Sequence, residues 1–239
     1  MDSNETNNQS STTELELLMM ERLASGTSLT TNDDMEKNGY VVEKNLWDPE
    51  DLYHPVPRDR GTIFYYGSID KFQTKPEDGQ VPGALIRHKH PQYQRIVHGV
   101  RKKVENLLKV KLYNTYYYDR FYFSGQKLPK HLENDGGEIS VRIEVSSNIK
   151  ESWPMKIKSP DIYTDKSKEA ILVPGEEKLI DLEPGDALIY KACERPIWTD
   201  PVPGGQKNRK IFGKKEELYY HQLVFNFVLA NGSRSHVTV

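Results

Sequence analysis

A chain of 239 residues is long enough for one substantial β-rich domain and an arm. Its 33 Lys and Arg against 35 Asp and Glu leave a formal charge of −2, which excludes both a global basic field for nucleic acid and a strongly acidic tail. The single cysteine, Cys193, excludes an internal disulfide, so a reducing compartment such as a cytoplasm is expected.

The opening MDSNETNNQSSTTE has no basic or apolar signal region and is not read as a secretory signal. No apolar run of about 18 residues occurs, so no membrane span is expected. Residues 1–12 are almost all polar and read as disordered, because they bury too little apolar surface to offset ordering entropy. Thr13 and Glu16 then form a T-x-x-E capping box. Leu15, Leu18, Met19 and Leu23 share a face, and Gly26 ends the pattern. This predicts a short amphipathic helix over 14–24. Such a helix is marginal in water, so its face must be covered, either by the domain or by a protein partner. Residues 27–38 are polar and read as a linker, making 1–38 a flexible arm and 40–239 the folded domain.

Within the domain, NGYVVEKNLW and TIFYYGSI read as strands and the proline-rich WDPEDLYHPVPRDRG as a loop. PQYQRIVHGVRKKVENLLK (91–109) is the clearest helix. Tyr93, Val97, Val100, Val104 and Leu108 recur every three or four residues, with His98 beside that stripe. His88 and His90, in RHKHP, read as surface residues. RHKH (87–90) and KNRK (207–210) read as solvated loops, so nucleic acid is not an expected partner.

The period then changes to two. YNTYYYDRFYF places Tyr116, Tyr118, Arg120 and Tyr122 on one face, and GGEISVRIEVSS alternates Ile139, Val141, Ile143 and Val145. WPMKI, AILVP, KLIDLEPGDALIYKA and YYHQLVFNFVLA follow between Pro and Gly turns. One long helix followed by about eight short strands predicts an α+β protein with a jelly-roll sandwich or related barrel. In LPKHLEND, His131 and Glu133 form an H-x-D/E step of the kind that supplies two of three ligands in one class of iron enzymes. An ordinary solvated turn is the other reading.

Taken in order, DGQVPGAL, YNTYYYDRFYFSGQKLPKH, EISVRIEVSSN, WPMKI, LEPGDALIYKACERPIWTDPVPG and HQLVFNFV resemble the small 2-oxoglutarate/Fe(II)-dependent oxygenases of the prolyl-4-hydroxylase-like type. The likeness is to the branch common in cyanobacterial phages and marine viruses, and it covers about 40–232. The resemblance implies a double-stranded β-helix of jelly-roll, cupin-like form. It also implies Fe(II) and 2-oxoglutarate as cofactors and an H-x-D…H ligand triad that leaves coordination positions open for chemistry.

Three departures from that pattern bear on function. Glu133 stands at the carboxylate position with one extra methylene. Ile197, in CERPIW, stands where the branch has its second histidine, and isoleucine cannot coordinate. The last core strand, LYYHQLVFNFVLANG, lacks the Lys or Arg that anchors the distal carboxylate of 2-oxoglutarate. His221 could replace the missing ligand, or simply cap the last strand, half exposed between Tyr219 and Tyr220 and solvent. Arg120, with Tyr116 and Tyr118, could bind the co-substrate, or pair with a structural acid in the core.

Three functions remain open. The first is an oxygenase fold that has lost its chemistry and serves binding or assembly through the arm and helix 14–24, for instance as a virion component. The second is an active hydroxylase holding iron with His131, Glu133 and a substitute ligand. The third is a generic jelly-roll binding module. Localisation follows as the cytoplasm of a host cell, or the virion.

Overall fold

The computed structural model describes residues 32–56, 63–66, 72–75, 79–160, 162–166, 169–173, 175–204, 210–211, 214–215 and 218–237. The expected helix over 14–24 and most of the arm lie outside the described residues.

A helix stands where a linker was expected. Asp33–Asn38 forms a helix, α1, capped by the Asn32 side chain on the Met35 amide and closed by Gly39 at φ 77°. A left-handed residue suits glycine, and a Cβ at Gly39 would also meet the Arg195 side chain at 2.8 Å. Met35 is fully buried. The linker reading therefore fails for 32–38, where a single apolar side chain anchors one and a half turns to the core.

The strands are β1 (Tyr40–Glu43), β2 (Ile63–Tyr66), β3 (Phe72–Lys75), β4 (Leu85–His88), β5 (Leu112–Phe123), β6 (Ile139–Ser147), β7 (Met155–Lys158), β8 (Ile162–Lys166), β9 (Glu169–Val173), β10 (Glu177–Ile180), β11 (Ala187–Lys191), β12 (Ile197–Thr199), β13 (Lys210–Ile211), β14 (Lys214–Lys215) and β15 (Tyr219–Leu229). The count exceeds the expected eight because short strands of two to five residues, among them β4, β8, β12, β13 and β14, add to the longer ones. A four-residue helix, α2 (Pro49–Leu52), starts at an Asp48 cap inside the stretch expected to be loop. The long helix, α3, spans Pro91–Leu108.

The major sheet has eight strands in the order β1-β11-β6-β15-β5-β4-β2-β3. All its pairings are antiparallel except β2 with β4. A minor sheet runs β10-β7-β12. The two faces of the major sheet are covered differently. On one, Tyr93, Ile96, Val100, Val104 and Leu108 of α3 join Ile139, Val141, Ile143, Val145, Leu223, Phe225 and Phe227 in one cluster, together with Met35. Each such side chain contributes roughly 1.5–3 kcal/mol by leaving water. Ile96 is buried there, and Val97 packs at the margin. On the other face, Tyr122, Leu188, Tyr190 and Tyr220 meet Met155, Ile157, Ile180 and Ile197 of the minor sheet. The result is the expected α+β architecture, with a double-stranded β-helix core and α3 packed outside it.

Alternation on β6 separates the two faces. Ile139, Val141, Ile143 and Val145 point to the helix layer, so Ser140, Arg142 and Glu144 point into the space between the sheets. All of these residues are buried, which means that the inward face of β6 carries charge inside the protein.

Candidate functional site

The residues after β5 lie alongside β12 and carry the candidate ligands into the space between the sheets. Leu128 bonds Thr199, with its amide donating to the Thr199 hydroxyl and its carbonyl accepting from the Thr199 amide. Three residues on, His131 and Ile197 exchange both backbone hydrogen bonds, at 3.2 and 3.0 Å, as an isolated antiparallel bridge. Residues directly opposite across such a bridge place their side chains on the same side. Ile197 is fully buried and belongs to the apolar cluster between the sheets. The position opposite His131 is thus filled by hydrocarbon.

His131 Nδ1 donates to the Pro129 carbonyl at 2.8 Å. A carbonyl can only accept, so Nδ1 carries a proton. Nε2 lies 3.5 Å from Glu133 Oε1. The Glu133 amide donates to the Ala192 carbonyl at 2.9 Å, which holds the residue beside the segment leading to β12. Its carboxylate is buried. Oε2 accepts from the Tyr116 hydroxyl at 3.4 Å. Oε1 accepts from Arg142 Nη2 at 2.7 Å.

Arg142 was not anticipated. Its side chain is fully buried and donates from three nitrogens to three separate elements. Nε reaches the Tyr190 hydroxyl on β11 at 3.0 Å, Nη1 reaches Gln222 Oε1 on β15 at 3.0 Å, and Nη2 reaches Glu133. Burial alone would push the Glu133 carboxyl up, but the adjacent His131 ring and the Arg142 charge outweigh it and hold the pKa at about 2. The sequence signal for Arg142 was an arginine within the apolar alternation ISVRIEV, a strand interior buried on both faces.

Tyr116, Tyr118 and Arg120 occupy the same inward face. Tyr116 stacks on Tyr118 with ring centres 6.4 Å apart, and its hydroxyl reaches Glu133. Arg120 donates to the Tyr122 hydroxyl at 3.1 Å and to Gln80 Oε1 at 2.9 Å, and sits over the Tyr118 ring at 5.3 Å. Burial pushes the Tyr118 hydroxyl up to about 12, so these tyrosines act as neutral donors.

His221 does not join this group. It is fully buried, not half exposed at a strand end, and its Nε2 lies 2.7 Å from Asp119 Oδ2. Its ring stacks on Phe121 at 3.8 Å. The neighbouring Gln222 faces Arg142, so His221 points to the opposite, helix-covered side of the sheet. There Asp119 also accepts from Arg87 Nε at 3.1 Å and from Arg87 Nη2. His90 is likewise not a surface residue. It is half buried and caps α3, accepting from the Gln92 amide at 3.3 Å, while His88 is half buried against Tyr118 at 5.4 Å. His98 is exposed, beside Arg101.

Among the described residues, no three His, Cys, Asp or Glu side chains converge as a metal site. The residues present do not fit the three-ligand Fe(II) centre that the fold implies. His131 and Glu133 face each other, buried Ile197 lies opposite His131, and a guanidinium bonds the carboxylate oxygen nearer the imidazole. Two unit charges 4 Å apart interact by about 4 kcal/mol at an effective dielectric near 20, and a dication doubles that. A buried arginine therefore opposes a divalent ion on the same carboxylate.

No family model matches the chain, and no curated protein does. Solved structures are similar. The non-heme α-ketoglutarate-dependent epimerase SnoN from nogalamycin biosynthesis superposes with TM-score 0.50 and 11% identity over 90% of this chain and 84% of that one. A 2OG-Fe(II) oxygenase family oxidoreductase from Burkholderia pseudomallei gives 0.49 and 11% over 87% and 90%. A prolyl-4-hydroxylase from Pseudomonas putida gives 0.47 and 12% over 81% and 95%. At such identities the likeness concerns the fold, and the fold is that of the 2-oxoglutarate/Fe(II) oxygenases.

Proposed function

We propose that this chain is an oxygenase-fold protein whose catalysis is impaired and whose fold serves binding or assembly. The supporting observation is Ile197. Its backbone pairs with His131 and its side chain is buried, and in this reading it stands where the resemblance puts a third ligand. Metal affinity depends on ligand number and geometry, and a fold does not by itself confer an activity. In this reading Fe(II) and 2-oxoglutarate are not resident cofactors. The partner is a protein, engaged through the polar arm and the helix over 14–24, and neither nucleic acid nor membrane takes part. The resemblance to phage and marine-virus proteins gives the setting, a virion component or a protein of the host cytoplasm.

A second reading is favoured by one distance. His131 Nε2 and Glu133 Oε1, 3.5 Å apart, still face each other, as two ligands of an active prolyl-4-hydroxylase-like enzyme would. Anaerobic titration with Fe(II) and 2-oxoglutarate separates the two. The proposed function expects no visible charge-transfer band at millimolar iron. A band that appears and bleaches on admitting oxygen would establish the hydroxylase instead.

A further inference from the structure

We infer that Arg142 is the resident cation of this site, and that it closes the site to divalent metal independently of the missing histidine. The inference rests on the reading that the pocket does not run iron chemistry, and it names the side chain responsible.

Three observations carry it. First, Arg142 is not a loose side chain near a carboxylate. Its Nε, Nη1 and Nη2 bond Tyr190, Gln222 and Glu133, so β11, β15 and the segment before the short turn Asp135–Gly137 fix the guanidinium plane together. Secondly, it is fully exposed to none of the solvent that could screen it, with zero relative accessibility. Thirdly, the oxygen it holds, Glu133 Oε1, is the one 3.5 Å from His131 Nε2. Any cation bridging the imidazole and that oxygen would compete with a permanently charged group for the same lone pairs. The pair is also self-sufficient: a buried carboxylate needs a counter-charge, and Arg142 supplies it without a metal.

Replacing Ile197 with histidine should therefore not be enough to build a metal site. The test is cobalt titration of full-length variants, read by visible d–d absorption and by the thermal midpoint. Ile197→His alone should bind cobalt no better than the unsubstituted chain. Ile197→His combined with Arg142→Met should bind one equivalent at least a hundredfold more tightly. Ile197→His with Arg142→Gln should do the same, since glutamine is neutral yet can still reach Tyr190 or Gln222. Ile197→His with Arg142→Lys retains the charge and should behave like the single variant.

Both neutral variants leave Glu133 without its partner, so each is also refolded with cobalt present, which would supply the missing counter-charge. Folding that requires cobalt supports the inference. It is overturned if Ile197→His alone binds as tightly as the double variants. It is also overturned if the neutral double variants fold without binding cobalt, or fail to fold with cobalt present. An iron and 2-oxoglutarate band in the unsubstituted protein would overturn the functional reading and this inference together, whereas the cobalt outcomes above overturn the inference alone.

Discussion

Asp119 on β5 and His221 on β15 meet across adjacent strands with Nε2 and Oδ2 2.7 Å apart, and neither side chain has any exposed surface. With Arg87 on β4, they form a buried charged group on the helix-covered side of the major sheet. Burial opposes ionisation of Asp119, but His221 and Arg87 overcome it and hold its pKa below the usual carboxylate range. This relationship assigns His221 a structural role on the face away from His131 and Glu133. Removing the negative charge strands the Arg87 guanidinium. We expect Asp119→Asn to cost about 3–5 kcal/mol, the loss typical when one member of a buried pair is removed. Urea denaturation should show the midpoint falling without a change in slope.

The same region sets a dependence on acid. Burial depresses His90 to about 4, with the Arg87 charge adding to the effect, and His54 and His221 are lowered for the same leading reason. Asp119 opposes all three shifts. A histidine depressed in the folded state is neutral there and protonates more readily when unfolded. Its contribution is present above 6.5, the ordinary value, and is lost as pH falls towards 4. His90→Asn keeps a good helix cap and removes one titrating ring. The variant should match the parent near pH 7 and lose less stability between pH 6 and 4, by about 1–2 kcal/mol after allowance for partial exposure. Thermal midpoints across that range check this.

Glu144 gives the opposite slope. Burial raises its carboxyl to about 7, with Asp181, Asp186 and Glu183 adding to the rise and the Tyr220 hydroxyl opposing it. The folded state therefore holds a proton that the unfolded chain releases at the ordinary 4.5. The stabilisation is complete below 4.5 and is lost as pH rises through 7. Glu144→Gln keeps a neutral hydrogen-bonding group at every pH. It should equal the parent at pH 4.5 and exceed it at pH 8 by about 2–3 kcal/mol. Denaturation at the two pH values gives the comparison, and equal stability at pH 8 would contradict the proposed protonation.

The contrast between Ile143 and Arg142 shows what was legible in the chain. Period-two alternation on β6 and the 3.6-residue stripe on α3 are local patterns, and they located the helix-side core almost residue by residue. The ordered motifs from 113 onwards also located His131, Glu133 and Ile197 at one place. The role of Arg142 depends instead on three partners 9, 48 and 80 residues away, and no local pattern contains those contacts. The burial of His221 was missed for a similar reason. Its environment is set by register with β5, while its neighbours Tyr219 and Tyr220 suggest an amphipathic strand end. Helix α1 was missed because six residues with one buried methionine give no periodicity, although Asn32 and Gly39 are its start and stop signals.

Burial of Met35 in the main core decides which deletion can test the arm. Deleting 1–38 would remove Met35 from the main core together with the segment expected to bind a partner. It would also break the Lys191–Glu36 ion pair and the bond from the Gly39 amide to the Met35 carbonyl that closes the helix. Loss of partner binding in such a deletion would not distinguish docking from unfolding. A deletion ending at residue 31 keeps Asn32, which caps α1 and donates from Nδ2 to the Leu107 carbonyl on α3 at 3.3 Å. We expect that shorter deletion to leave the thermal midpoint within about 1 °C of the parent while abolishing capture of the protein partner, since about 1 kcal/mol moves a midpoint by only a few degrees. Met35→Ala in the full chain should do the reverse. It should cost about 2–4 kcal/mol, as for other large-to-small core changes, and leave partner binding intact below the lowered midpoint. If the deletion ending at residue 31 retains full binding, the arm is not the docking element and the binding surface lies on the domain.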